Sequence, residues 1–371
     1  MALNNYKPVI GKKLLQNLIV NLYKDSRTIF REYIQNSCDA IYEAVDRKVL
    51  GSVDDGHVEV LLFPVQKTIK IVDNGIGIHS KNAVSILTDI SKGTKDGISY
   101  AGQYGIGRLV GGGYCEQLVF KTTVEGEDVE TILAIDIVEL KRVLADDSDD
   151  RTAEEIMQDI CSVTTSPVEE LKHGFEVIMN RVNVAQDVLL DEEKVKDYIV
   201  NIAPIDYSTP FKQLIVNSID DEYKVLFDAL HHVRVSVNDH TDLKKKYGLA
   251  VSNGDEIRKL RFFKIQDKLF GLMAWGWYAV TKFSTQMNND PIAGIRLRKH
   301  NISLDPDILN TKEYFKETRS NLYFYGEVFI QNNLVVPNSS RDGLVDSDES
   351  KALKNGFSEY GINILSQVYQ R

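Results

Sequence analysis

Three groups of residues with chemical potential follow one another in the first third of the chain. A carboxylate and a carboxamide stand one helical turn apart in REYIQNSCDA (Arg31 to Ala40). An aspartate sits where a strand runs into a glycine turn in VDNGIGI (Val72 to Ile78). Closely spaced glycines make up GQYGIG (Gly102 to Gly107). A carboxylate can polarise a water, a neutral amide oxygen can ligate a hard cation, and backbone N–H groups in a glycine loop can wrap phosphates. Each motif alone is weak, and their order points to a nucleotide pocket.

The elements that must carry these groups can be read from periodicity. Phe30, Ile34, Cys38, Ile41 and Val45 recur at helical spacing and share one arc, while Glu32, Asn36 and Asp39 fall on the opposite arc. The bland reading of that second arc is a solvated polar face. Against it, asparagine is a poor mid-helix residue, because its amide competes for backbone groups. Val58 to Phe63, the turn Pro64 to Lys67 and Thr68 to Val72 read as a hairpin, and Asp73 ends its second strand before Asn74-Gly75. Asp73 is either a plain turn former or an acceptor for a purine amino group, with Gly75 and Gly77 letting backbone approach the base. The third motif has GxxGxG spacing and no preceding βαβ strand, so a dinucleotide fold is excluded; no GxxxxGK[ST] occurs either. Arg108-Leu109-Val110 read as a helix start beyond the glycines.

The order E-x-x-x-N-x-x-D-A, D-N-G-x-G, G-x-x-G-x-G resembles the GHKL ATPase superfamily, which holds gyrase B, the ninety-kilodalton heat-shock chaperones, sensor histidine kinases and MutL. FREYIQNSCDAI, DISKGTK and AGQYGIG are most similar to the chaperone branch. The resemblance implies an α/β fold: a GHKL-type (Bergerat) α/β sandwich followed by a second α/β domain like the chaperone middle domain. It implies Glu32 as general base, Asn36 as Mg²⁺ ligand and Asp73 as the adenine contact. The remaining ATP-binding positions that it implies are Asp39, Gly75, Gly77, Ser91, Lys92, Gly93, Thr94, Gly102, Gln103, Tyr104, Gly105, Ile106 and Gly107. Ser91 to Gly107 would form a lid over the phosphates. Near the end, YGEVFIQNNLVVPNSSRDGL resembles the middle-domain segment whose arginine reaches the γ-phosphate; that residue is Arg341, on a loop held by Asn338 and Ser340. One departure stands out. HGFEVIM keeps Gly174 but has Phe175 where the family carries a threonine, which removes a polar contact near the nucleotide. The lid is short for a chaperone, and no segment resembles the C-terminal dimerisation domain. Self-association is therefore expected to rest on the nucleotide domains, with Met1 to Val20 reaching across.

Composition narrows the class. A chain of 371 residues can hold two domains, expected as 1–190 and 191–371. A formal net charge of -10 argues against a general nucleic-acid binder, although Arg258 to Lys268 and Arg296 to Lys299 are locally basic and read as solvated strand edges. The three cysteines Cys38, Cys115 and Cys161 show no C-x-x-C pairing, Cys38 reading as a small core residue, and a reducing compartment is expected. No apolar signal core opens the chain, and the run Leu269 to Val280 is too short to span a bilayer, so a soluble cytoplasmic protein is expected. Asp146 to Glu155 reads as an exposed acidic insertion, Phe175 to Met179 as the last strand of the first domain, and Leu190 to Ile202 as a helix. Strand-like runs at Val233 to Val237, Arg261 to Ile265, Leu272 to Val280 and Tyr323 to Ile330, then a helix from Glu349 to Tyr369, describe the second domain.

The functional expectation is a slow Mg²⁺-dependent ATPase acting as a conformational clamp on a protein client or operon partner, with an ATP-dependent homodimer. Three other classes share parts of this pattern. A MutL- or MORC-like DNA clamp shares the two-domain plan but not the acidic balance. A sensor kinase needs a phosphoacceptor helix before the asparagine motif, where only about thirty residues stand. A nucleotide-binding scaffold without turnover would not need Glu32.

Overall fold

The computed structural model describes residues 12–13, 15–16, 25–88, 107–283, 285–287, 290, 292–304, 318–338 and 343–361. Contacts divide the chain into Met1–Tyr198 with Arg234–Asp242, and Ile199–Val233 with Leu243–Arg371. The expected boundary at residue 190 falls just short of Tyr198.

The first unit is built on a seven-stranded sheet in the order β5-β4-β3-β6-β2-β1-β7. Its strands are β1 (His57–Phe63), β2 (Thr68–Asp73), β3 (Gln117–Thr123), β4 (Val129–Asp136), β5 (Cys161–Pro167), β6 (Gly174–Asn180) and β7 (Arg234–Val237). The hairpin read at 58–72 is present, with Phe63 opposite Thr68 and Val58 opposite Asp73. Strict alternation buries Ile69, Ile71 and Asp73 on one side of β2, so the two-residue period carries a carboxylate onto the apolar face. Helix α1 (Thr28–Asp46) packs against β1, β2 and β6. Further helices are α2 (Ser80–Thr88), α3 (Ile137–Ala145) and α4 (Ala153–Ile160). The acidic stretch ends in a capping box, in which Glu155 N–H donates to Thr152 and the Glu155 carboxylate accepts from Thr152 N–H.

One strand lies in a different unit from the one expected. Val233 to Val237 reads as part of the second domain, yet Arg234–Val237 pairs in parallel with β1 at the edge of the first sheet. A local run cannot show that its partner lies far back along the chain. The helix start read at Arg108-Leu109-Val110 is present as a 3₁₀ helix, Gly107–Gly113, whose glycines disfavour a regular α-helix.

The second unit has a five-stranded sheet in the order β11-β10-β12-β9-β8, formed by β8 (Lys259–Asp267), β9 (Gly271–Val280), β10 (Gly294–Lys299), β11 (Ile302–Ser303) and β12 (Tyr325–Ile330). One core gathers Phe263, Met273, Tyr278, Val328, Leu353 and Phe357; another gathers Tyr207, Phe211, Trp275, Trp277 and Phe329. Burial on both faces explains why β9 reads as an unbroken apolar run. The expected C-terminal helix is present as Asp348–Tyr360, capped by Ser347, whose hydroxyl accepts from Ser350 N–H. Residues 362–369 of that expectation lie outside the described residues.

The basic run Arg296 to Lys299 is not a solvated edge. Arg296, Arg298 and Lys299 are all buried, because β10 lies between β11 and β12. Arg298 Nε donates to Glu327 Oε1 at 2.5 Å and Lys245 Nζ donates to Glu327 Oε2 at 2.9 Å, with all three side chains buried. Tyr207 also donates its hydroxyl to Glu327, and Lys245 lies 4.4 Å from the Tyr207 ring centroid.

Candidate functional site

Helix α1 is buried on both of its arcs. Phe30, Ile34, Cys38 and Ile41 face the core as their period requires. Glu32 is only 4% exposed and Asp39 only 2%, so the polar arc is not a solvated face. Burying carboxylates costs several kcal/mol unless something is gained, which marks this arc as unusual for a surface helix. Asn36 lies between them on the helix and is partly exposed.

The first and third motifs meet at Glu32. A Cβ placed on Gly107 would stand 2.2 Å from Glu32 Oε2, so the last glycine of GQYGIG lies directly against this carboxylate. Tyr33 fixes the approach. Its hydroxyl donates to Arg108 O at 3.0 Å and accepts from Gly111 N–H at 2.9 Å, pinning the 3₁₀ helix to α1.

The second motif is also held on α1. Ile76 N–H donates to Ala40 O at 3.0 Å, across from Gly75, which packs on Ala40. Asp73 Oδ1 accepts from Gly75 N–H at 2.9 Å. Burial pushes the Asp73 carboxyl up to about 6, against the opposing effect of the Ser37 hydroxyl, the Gly75 and Phe175 amides and the nearby His173. Gly77 has φ +70°, and a Cβ there would lie 1.9 Å from Thr123 O, so only glycine allows the turn to pass. Ile78 N–H donates to Thr122 Oγ1 at 2.8 Å, and Thr122 Oγ1 donates in turn to Gly174 O at 3.1 Å.

The fold therefore brings together Glu32, Asn36, Asp39, Asp73, Gly75, Gly77 and Gly107 around one helix. Ser91, Lys92, Gly93, Thr94, Gly102, Gln103, Tyr104, Gly105, Ile106, Ser340 and Arg341 lie outside the described residues. Tyr33, Ser37, Thr122 and His173 support the site without having been singled out from the sequence. Tyr33 and Ser37 were inside the first motif, but Thr122 and His173 reach the turn from 44 and 98 residues away, where no local pattern signals them.

For a divalent cation, the available chemistry among the described residues is a neutral amide oxygen on Asn36, one helical turn from Glu32. That suits Mg²⁺, which keeps most of its waters and takes few protein ligands. Among the described residues there is no cluster of three or more His, Cys, Asp or Glu able to hold a metal by itself. No described helix is long and apolar enough to cross a membrane.

Comparison with known proteins agrees with this geometry. Residues 24–174 match the family described as histidine kinase-, DNA gyrase B-, and HSP90-like ATPase. The chain is 29% identical over 122 residues to the chaperone protein HtpG of Clostridium acetobutylicum, covering 29% of this chain and 19% of that protein. It is 37% identical over 90 residues to HtpG of Buchnera aphidicola, covering 23% and 14%. With HtpG of Halalkalibacterium halodurans the identity is 27% over 133 residues, covering 32% and 21%. The match thus spans about a fifth or less of the length of these relatives. Residues 24–174, which carry the buried Glu/Asn/Asp helix, the DNGIG turn and the GQYGIG motif, are thus a GHKL-ATPase-like domain, similar in part to the HtpG chaperones.

Proposed function

We propose that this chain is a Mg²⁺-dependent ATPase that works as a conformational clamp on a protein partner. The observation that carries this reading is the contact of Gly107 with the buried Glu32, since it brings the last glycine of a motif suited to phosphates against a carboxylate suited to activating water. In this reading Glu32 orients and deprotonates the attacking water, and Asn36 holds Mg²⁺, which would neutralise phosphate charge. Asp73 accepts from the adenine amino group, while Asp39, Gly75 and Gly77 line the base end. The stretches Ser91 to Thr94 and Gly102 to Gly107 close over the phosphates, and Arg341 contacts the γ-phosphate. Turnover is slow because several parts must assemble first. Protein clients and an ATP-dependent homodimer belong to the same proposal, as does a cytoplasmic location.

The direct test is phosphate release from ATP by the full chain, with and without Mg²⁺. Hydrolysis that stops on chelation is expected; ATP binding without any release would replace the ATPase with a scaffold. For the clamp, light scattering should give a larger dimer fraction with a non-hydrolysable ATP analogue than with ADP. A mass that ignores nucleotide would remove that part of the proposal.

A pH dependence follows from Asp73. Only the ionised carboxylate is a pure acceptor for an amino group, and its midpoint stands at about 6. ATP affinity is expected to be flat above neutrality and to fall roughly tenfold by about pH 5, by proton linkage. The ligand-free fold behaves oppositely. A raised carboxyl contributes stability below its unfolded value, and this is lost as pH rises through about 6. Asp73→Asn should weaken ATP binding by about tenfold, the loss of one charge-assisted bond, and flatten the pH profile. Calorimetry that finds the variant equal to wild type in affinity would remove Asp73 from the pocket.

A further inference from the structure

His173 is half-buried on the loop that enters β6, and its Nδ1 lies 2.8 Å from Gly75 O. A carbonyl can only accept, so Nδ1 carries the proton and Nε2 is left as the second ring nitrogen. The two sides of the Gly75 residue are thus held by different groups. Its N–H donates to Asp73 Oδ1 at 2.9 Å, and its C=O accepts from the His173 imidazole. The contact joins positions 98 residues apart, so it is made by the tertiary fold and not by the turn itself.

We propose that His173 is a positioning residue for purine recognition: by holding the Gly75 carbonyl it fixes the turn that aims Asp73, and so sets the preference for adenine. The proposal rests on the ATP reading given above.

Glycine has the softest backbone of any residue, and the Gly75–Ile76 peptide is held on one side by Ile76 N–H to Ala40 O and on the other by His173 at the Gly75 carbonyl. If His173 lets the carbonyl go, rotation about the Gly75 backbone can carry its N–H, which belongs to the preceding peptide, off Asp73 Oδ1, and the carboxylate loses one of the donors that orient it. Phe175, which has no hydroxyl to offer, follows two residues later in the chain. In this loop His173 supplies the polar anchor from its side chain, while Phe175 contributes its backbone amide.

The test uses the full chain and measures ATP and GTP dissociation constants by calorimetry in Mg²⁺ buffer near pH 8. His173→Ala should weaken ATP about five- to tenfold, one hydrogen bond's worth, and shrink the ATP-to-GTP ratio, with little change for GTP. His173→Asn should restore both values to near wild type, because its amide nitrogen stands where Nδ1 stood. His173→Gln carries its amide further out and should behave like the alanine variant. An alanine variant with unchanged ATP affinity and unchanged ratio overturns the assignment. Should that variant not fold, equal ATP affinity in the asparagine and glutamine variants overturns it instead. A wild-type chain that binds neither nucleotide overturns the ATP reading together with this proposal, whereas wild-type ATP binding with an indifferent His173 overturns the proposal alone.

Discussion

Replacing Glu32 by alanine is expected to slow ATP turnover by about 10²–10⁴ while leaving ATP affinity within a few-fold of wild type. The expected split follows from where the carboxylate sits. It is buried, it touches the last glycine of the third motif, and it projects from α1 two turns before Ala40, against which the Asp73 turn packs. On the proposed reading this is the phosphate end, where a group contributes to the transition state and not to base binding. Glu32→Gln sharpens the comparison, since it keeps the shape and removes the base. Both variants should bind ATP in calorimetry and release phosphate only at the residual rate. Parallel loss of binding and turnover would mean that Glu32 holds the pocket together instead of activating water.

How much of this could be read from the sequence depends on distance along the chain. The α1 helix, the β1–β2 hairpin and the glycine turn are local patterns of period, β-branching and turn chemistry, and each is present where the pattern puts it. The likeness to the GHKL ATPases was legible because the chemistry lies in short motifs whose order is fixed by the fold. Position β7 was not legible. Its residues form a strand, but nothing in RVSV says that it will pair in parallel with β1 far back along the chain. The burial of the α1 polar arc was equally hidden, because the same i, i+4 spacing describes a solvated face and an active one. The charged strand Arg296 to Lys299 misled for a related reason. A basic run reads as surface unless its counter-charge is known, and Glu327 lies on another strand inside an apolar stretch. His173 and Thr122 show the same limit at the site, where the turn is set by side chains from remote parts of the chain.

The second unit offers the other large effect, on stability. Glu327 faces two cations at once, Arg298 and Lys245, and all three are sequestered from water. Burial alone would raise its carboxyl, but Arg298 and Lys245 hold it down at about 2. Since a depressed carboxyl contributes stability above its unfolded value and loses it as pH falls toward the folded one, this contribution is intact at neutral pH. Glu327→Met should therefore cost about 3–5 kcal/mol, because Arg298 is left buried with no anion beside it and Lys245, already pushed down to about 7 by burial and by Arg298, must give up its proton. Arg298 would keep only carbonyl acceptors, at Asn301, Ala203 and Asn201. Lys245→Met removes charge from the same cluster but leaves the Glu327–Arg298 pair balanced, and should cost no more than about 1 kcal/mol, since apolar replacement in such networks is often neutral. Trp275 and Trp277 are the only two tryptophans of the chain and both belong to this unit, so tryptophan fluorescence in a denaturant titration reads its unfolding separately. The ordering of the two variants decides the matter: a lysine variant as unstable as the glutamate variant would mean that the cluster is held by hydrogen bonds and shape, with charge balance contributing little.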